Sequence, residues 1–220
     1  MKKDFWLERW EKEEIGFHQD DYNPYLREYW QQLQLARGSR IFVPLCGKSR
    51  DMIWLNSQGF SVLGVELSEI AAKAFFAENG LTPQYSAHGK FDLYESGGIH
   101  ILCGDFFDLD RAMLENVGAV YDRASLIALP PEMRERYISR MAAILPPGTR
   151  ILLITLDYDE EEMQGPPFAV SKREVLELYG KYAKVALLAE IDALHLERNA
   201  RFLQRGLSRL QECVFLVELR

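Results

Sequence analysis

The chain has 220 residues, 48% of them hydrophobic and 27% charged, the make-up of one soluble globular domain able to bury roughly 70% of its unfolded surface. Its net charge of −7 argues against a broad nucleic-acid footprint. No stretch approaches the roughly 18 apolar residues of a membrane span, and Met1–Trp6 lacks the apolar centre of a secretory leader.

Asp4 can cap a first helix reaching about Glu14, with Phe5, Trp6, Leu7 and Trp10 as an aromatic face. Such a face either packs or walls a pocket, since an indole offers both flat surface and an N–H. Asn23 followed by Pro24 opens a second helix to about Leu35. Residues 1–39 therefore read as a helical flap ahead of the sheet. Arg40–Val43 is a short apolar strand that Pro44 ends, because proline cannot donate to a ladder. Gly47 permits a tight turn, and Ser49–Ser57 reads as a helix with Met52, Ile53 and Leu55 inward. Ser61–Val65 is the next strand and leads into Glu66. The unit is βαβ, with a carboxylate 19 positions beyond the turn glycine, from 47 to 66, where such folds grip a ribose.

One glycine is too few to cradle a pyrophosphate. Gly47-Lys48-Ser49 imitates the end of a P-loop, but that motif needs glycine where Phe42 stands. A ligand with a ribose and no phosphate fits better. S-adenosylmethionine meets that description, its ribose toward Glu66 and its amino-acid end near Leu45. The competing reading is an ordinary crossover in which Glu66 merely caps the helix that starts at Ser68.

That helix runs to Glu78, and Gly80 stops it. Phe91–Glu95 and Ile99–Cys103 flank Ser96-Gly97-Gly98 as a hairpin. Asp105 follows the third sheet strand, where a carboxylate and backbone amides can hold an adenine, although exposed loop aspartates are common. Val117–Tyr121 leads into Asp122-Arg123, Pro130-Pro131 starts a helix, and Arg150–Leu156 is a fifth strand. The acidic run Asp157–Glu162 reads as solvated. Gly165-Pro166-Pro167-Phe168 stiffly presents an aromatic at a strand's carboxyl end. Ser171 and Glu174 suggest a capping box. Lys184–Ile191 and Glu212–Leu219 close the sheet around a segment carrying Arg198, Arg201, Arg205 and Arg209. Cys46, Cys103 and Cys213 are odd in number and far apart, which suggests reduced thiols and a cytoplasmic location. The four histidines lack metal-ligand spacing, so no metal site is expected.

Seven strands alternating with helices, a ribose-gripping carboxylate and no phosphate loop give the plan of a class I S-adenosylmethionine-dependent methyltransferase. The expected fold is Rossmann-like α/β, a mostly parallel sheet of seven strands with helices on both faces, in one domain spanning 1–220. Phe5-Trp6, Arg9-Trp10, Ile15-Gly16-Phe17-His18, Val43–Ser49, Gly64–Glu69, Tyr121-Asp122-Arg123, Leu129-Pro130-Pro131 and Gly165–Phe168 together resemble the thiopurine S-methyltransferase family in its bacterial form. The resemblance spans Phe5 to Leu219. It implies that Trp10, Leu45, Glu66 and Arg123 line the S-adenosylmethionine site; Gly47 and Asp105 join them from the motif reading. It also implies that Phe17, Arg123 and Arg201 face the thiopurine.

Methyl transfer to sulfur is an in-line displacement that needs positioning more than a protein nucleophile. Arg123 is the expected orienting group, and Asp122, a water or His18 a candidate proton acceptor. The partner is a small-molecule thiol, with no nucleic acid or membrane, and a monomer suffices. Two alternatives stand beside this reading: a methyltransferase for selenium, tellurium or other soft acceptors, and a non-catalytic S-adenosylmethionine sensor.

Overall fold

The computed structural model describes residues 3–16, 18–19 and 21–220. In chain order the elements are α1 (Lys3–Glu11), α2 (Pro24–Tyr29), β1 (Arg40–Val43), α3 (Asp51–Ser57), β2 (Ser61–Glu66) and α4 (Glu69–Glu78). Then come β3 (Gln84–His88), β4 (Phe91–Ser96), β5 (Ile99–Cys103), α5 (Arg111–Leu114), β6 (Val117–Arg123) and α6 (Pro131–Ile144). The last are β7 (Arg150–Asp157), α7 (Lys172–Tyr179), β8 (Ala183–Asp192), α8 (Ala200–Gln204) and β9 (Gln211–Leu219).

The strands form one sheet in the order β3-β4-β5-β2-β1-β6-β7-β9-β8. The five central strands, β5-β2-β1-β6-β7, are parallel. Both flanks are antiparallel. The sheet thus has nine strands where the pattern predicts seven. The additions are β3 and β4 on one flank. β4 and β5 do form the expected hairpin, with Gly97 and Gly98 at φ of 59° and 87° in its turn. β3 leaves no apolar trace because each of its residues is exposed; it is an edge strand held by its backbone ladder to β4.

Helices cover both faces. Leu26 of α2, Met52 and Leu55 of α3, and Ala72 and Phe75 of α4 pack with Ile41, Val43, Val62 and Tyr121 on one side. Leu114 of α5, Tyr137, Ile138 and Met141 of α6, and Val175 and Tyr179 of α7 pack with Phe42, Leu63, Val120 and Leu153 on the other. Strand alternation divides the residues between the two layers.

Local signals set the helix ends. Asn23 caps α2 by accepting from the Tyr25 N–H at 3.0 Å, with Pro24 in the first turn. The α-helix ends at Tyr29, and a 3₁₀ turn over Trp30–Leu33 completes the predicted length. α1 begins at Lys3, so Asp4 sits inside its first turn, where a carboxylate still suits the positive helix end. Ser171 caps α7 at the Glu174 N–H, 3.2 Å away. The reciprocal half of that capping box is absent, because Glu174 instead pairs with buried Arg134 at 2.5 Å.

The central crossover is tight. A β-carbon on Gly64 would lie 2.6 Å from Cys46 Sγ and 3.3 Å from Met52 Sδ, and both neighbours are buried. Gly64→Ala should therefore lower stability by about 1–3 kcal/mol in denaturant unfolding. Adding Cys46→Ala should recover part of that loss, since it removes the closest atom.

Candidate active site

A cavity of about 560 Å³ opens at the carboxyl ends of β1, β2 and β6. Two non-glycine residues in left-handed conformation turn the chain away from those ends: Leu45 at φ 44° after β1 and Ala124 at φ 63° after β6. Both line the cavity. The Ser125 hydroxyl donates to the Pro44 carbonyl at 2.6 Å and ties the two turns together.

One wall is the turn after β1. Gly47, at φ 53°, brings its backbone against Trp10, whose ring would lie 3.3 Å from any β-carbon there. Glu66 is buried; its two oxygens accept from the Gly47 and Ser68 N–H groups, each at 2.8 Å. The capping alternative for Glu66 is therefore half true. Its bond to Ser68 exists, but the Ser68 hydroxyl itself reaches the Ala71 N–H at 3.4 Å, and the other Glu66 oxygen belongs to the turn. Burial raises the Glu66 pKa, while the Ser68, Gly47 and Leu67 amides pull it back. Asp105 also lines the cavity, accepting from the Phe107 N–H at 2.9 Å and pairing with Lys3 at 2.7 Å.

Cationic side chains line the cavity as well. Arg123 donates from Nε to Asp51 Oδ2 at 2.9 Å and from Nη2 to Ser49 Oγ at 3.4 Å. Burial works against its charge, but Asp51 outweighs that cost and raises its pKa. Arg201 and Arg205 also line the cavity. Arg201 has no carboxylate partner among the described residues; its guanidinium lies 4.7 Å from the Phe202 ring. Desolvation lowers its pKa, and Arg205 and Arg123 lower it further. Pro166 and Pro167 line the cavity too. Phe168, expected to face the site, is instead stacked near buried Arg134, 5.9 Å from its guanidinium.

Asp122 does not belong to the cavity lining. Strand alternation points it to the other face of the sheet from Arg123. There it is fully buried, accepting from the Tyr137 hydroxyl at 2.8 Å and the Leu126 N–H at 3.3 Å. Burial pushes its pKa up to about 6, against the opposing bonds from Tyr137, Leu126 and Ser125. A carboxylate so enclosed supports the turn carrying Ala124 and Ser125, and reaches the cavity lining only through the Tyr137 hydroxyl. His18 does line the cavity. Phe17 lies outside the described residues.

Sequence reasoning passed over Asp51 and Glu212. Glu212, buried on β9, pairs with Arg198 at 2.5 Å and accepts from Asn199 Nδ2 at 3.0 Å, which steadies the segment leading to Arg201. Nothing in spacing could have paired residues so far apart in the chain. Among the described residues no cluster of histidine, cysteine, aspartate or glutamate could hold a metal ion, and no helix is long and apolar enough to cross a membrane.

This arrangement of sheet and cavity is that of the Rossmann-like methyltransferases. It is similar to a 1,6-didemethyltoxoflavin-N1-methyltransferase of Burkholderia thailandensis solved with S-adenosylhomocysteine. The TM-score is 0.63 at 16% identity, over 99% of this chain and 86% of that one. It is also similar to geranyl diphosphate C-methyltransferase of Streptomyces coelicolor A3(2), with a TM-score of 0.59 at 16% identity over 88% and 77% of the two chains. The chain belongs to the thiopurine S-methyltransferase family, whose profile matches residues 1–220. It is 61% identical to thiopurine S-methyltransferase of Nitrosospira multiformis over 100% of this chain and 99% of that one. Identity to the Azotobacter vinelandii protein of the same name is 54% over all of both chains.

The raised pKa of Asp122 fixes a pH dependence. Between the unfolded value near 4 and about 6, the folded state holds a proton that the unfolded state has lost. Stability therefore falls as pH rises through that window, by roughly 3 kcal/mol at most, and is level above it. Asp122→Asn should abolish this share of the slope, so that its stability relative to wild type improves from pH 4.5 to 6.5 in urea unfolding.

Proposed function

We propose that this protein transfers the methyl group of S-adenosylmethionine to the sulfur of a thiopurine or a related aromatic or heterocyclic thiol. The observation that carries the reading is one cavity lined both by a buried carboxylate beside a tight turn and by guanidinium groups. The family membership supports the same donor and acceptor.

The residues present suit the donor. Each Glu66 oxygen accepts one backbone N–H and retains acceptor capacity for a ribose hydroxyl. The absence of a side chain at Gly47 lets the Trp10 ring close against the turn, beside the αL backbone of Leu45. Asp105 stands where an adenine amine could be received. When bound, S-adenosylmethionine supplies the methyl on a sulfonium centre whose departure needs no acid.

Arg123 and Arg201 then hold the acceptor. Both are cationic at neutral pH despite burial, because a guanidinium does not lose its proton there. Their field favours the thiolate over the thiol and so raises the share of reactive sulfur. Phe17 is taken as an aromatic wall for the acceptor. With Asp122 turned away, no side-chain base is assigned; proton loss from an acidic thiol passes to water. Burial of the cavity under α1 and the two prolines concentrates the reacting pair, a positioning effect worth several kcal/mol, up to roughly 7–11 in well-oriented systems. Three free cysteines support a reducing, cytoplasmic setting, and a monomer contains every residue assigned.

Calorimetric titration with S-adenosylmethionine, followed by labelled-methyl transfer to 6-mercaptopurine, tests the reading. Binding with turnover is expected. Binding without turnover on any thiol or selenol would leave a sensor, and no binding would remove both. Within the site, Glu66→Gln should weaken S-adenosylmethionine by about 1–3 kcal/mol, the scale of a hydrogen bond to a charged group. Unchanged affinity in the folded variant would reject Glu66 as the ribose ligand.

A further inference from the structure

Asp51 is the first residue of α3 and 1% exposed. Its carboxylate accepts from three donors, two on β6 and one at the start of α2. Oδ2 receives Arg123 Nε at 2.9 Å and the Tyr121 hydroxyl at 3.0 Å. Oδ1 receives the backbone N–H of Asn23, the cap of α2, at 2.8 Å. The Ser49 hydroxyl takes the second contact from Arg123, through Nη2.

A guanidinium has two usable edges. The edge formed by Nε and Nη2 is the one directed at Asp51 and Ser49. The Tyr121 hydroxyl lies on the same inner side, and Arg123 lines the cavity, which leaves Nη1 as the outer edge. Without Asp51 the plane would be free to turn about its long side chain, and a buried cation would lose its counter-charge.

We propose that Asp51 is a positioning residue for methyl transfer: it clamps Arg123 by its inner edge and so aims the outer edge at the acceptor sulfur. The proposal rests on the reading that Arg123 faces the acceptor. Asp51 touches no ligand itself; it acts through the arginine. Its bond to Asn23 adds a second task, seating the start of α2 on the same carboxylate.

The test is a double-mutant cycle of Asp51→Asn and Arg123→Lys, read as kcat and KM for 6-mercaptopurine at saturating S-adenosylmethionine. Asparagine keeps the size and one acceptor but removes the charge; lysine keeps the charge but has no fork. Asp51→Asn is expected to lower kcat on the order of tenfold to a hundredfold, the scale of a misplaced positioning group. The double variant should lose no more than the worse single one, because both changes remove the same aim.

Three results decide against it in distinguishable ways. Wild-type kcat in a destabilised Asp51→Asn, with Arg123→Lys impaired, makes Asp51 structural and overturns the proposal alone. Losses that multiply in the double variant place its effect elsewhere, again overturning the proposal alone. Wild-type turnover in Arg123→Lys removes the underlying reading of the arginine, and the proposal with it. Should Asp51→Asn not fold, nuclear magnetic resonance of the ¹⁵N-labelled wild type settles the point. A slowly exchanging Arg123 Nε–H, identified by its loss in Arg123→Lys, is expected; a freely rotating, rapidly exchanging group would sink the clamp.

Discussion

An arginine shut away from water needs a counter-charge, and in this molecule the pairing of Arg123 with Asp51 decides how the centre of the sheet is closed. The two side chains are 12% and 1% exposed, and their atoms meet at 2.9 Å. Each ion alone would cost several kcal/mol to bury, and losing one partner of such a pair typically costs about 3–5 kcal/mol. The bond joins the carboxyl end of β6 to the start of α3, which follows β1. Chain connections leave β1 in opposite directions, to β2 on one side and, later, to β6 on the other. Such a reversal opens a crevice beyond the strand ends. The ion pair sits in that crevice and holds its two sides at a fixed spacing, with the Ser125 to Pro44 bond as a second tie.

The charges around the crevice are sorted by the sheet itself. Glu66 ends β2, where two backbone N–H groups can compensate a carboxylate without any cation nearby. Arg123 ends β6, and its carboxylate comes from the helix layer, not from the cavity. Each charge is thus satisfied from behind and remains available in front. Arg201 is different, because nothing in the described protein neutralises it, and desolvation depresses its pKa. A cation left in that state lowers the cost of admitting an anion. The polarity of the cavity therefore follows from which groups are compensated and which is not.

The sequence pattern revealed the parallel centre of the fold because buried parallel strands are continuous apolar runs. Arg40–Val43, Ser61–Val65 and Val117–Tyr121 were each legible in that way, and so was the turn at Gly47 with its distant carboxylate; β2 and β6 run on to Glu66 and Arg123. β3 was not, since an edge strand exposed on every residue carries no hydrophobic period. At the site, Trp10, Leu45, Glu66, Asp105, Arg123 and Arg201 converge on one cavity. Asp122 read as their equal only because it is adjacent in sequence to Arg123; a strand sends neighbours to opposite faces, and that rule separates them. Asp51 and Glu212 stayed hidden for the converse reason. Their importance comes from partners 72 and 14 residues away, which only the fold brings close.

The two amino-terminal helices are fastened unevenly, and the strengths can be ranked. α2 is held by buried groups: Asn23 on Asp51, and the Tyr25 hydroxyl on Arg198, itself paired with Glu212. The far end of α1 is held by Trp10, 6% exposed and set against Gly47, a large apolar anchor worth a few kcal/mol. The near end of α1 is joined to Asp105 through Lys3, whose side chain is 60% exposed. A surface ion pair of that kind contributes about 0–1 kcal/mol. Of these fastenings among the described residues, the Lys3 to Asp105 pair is the weakest, because its cation is the most exposed to solvent.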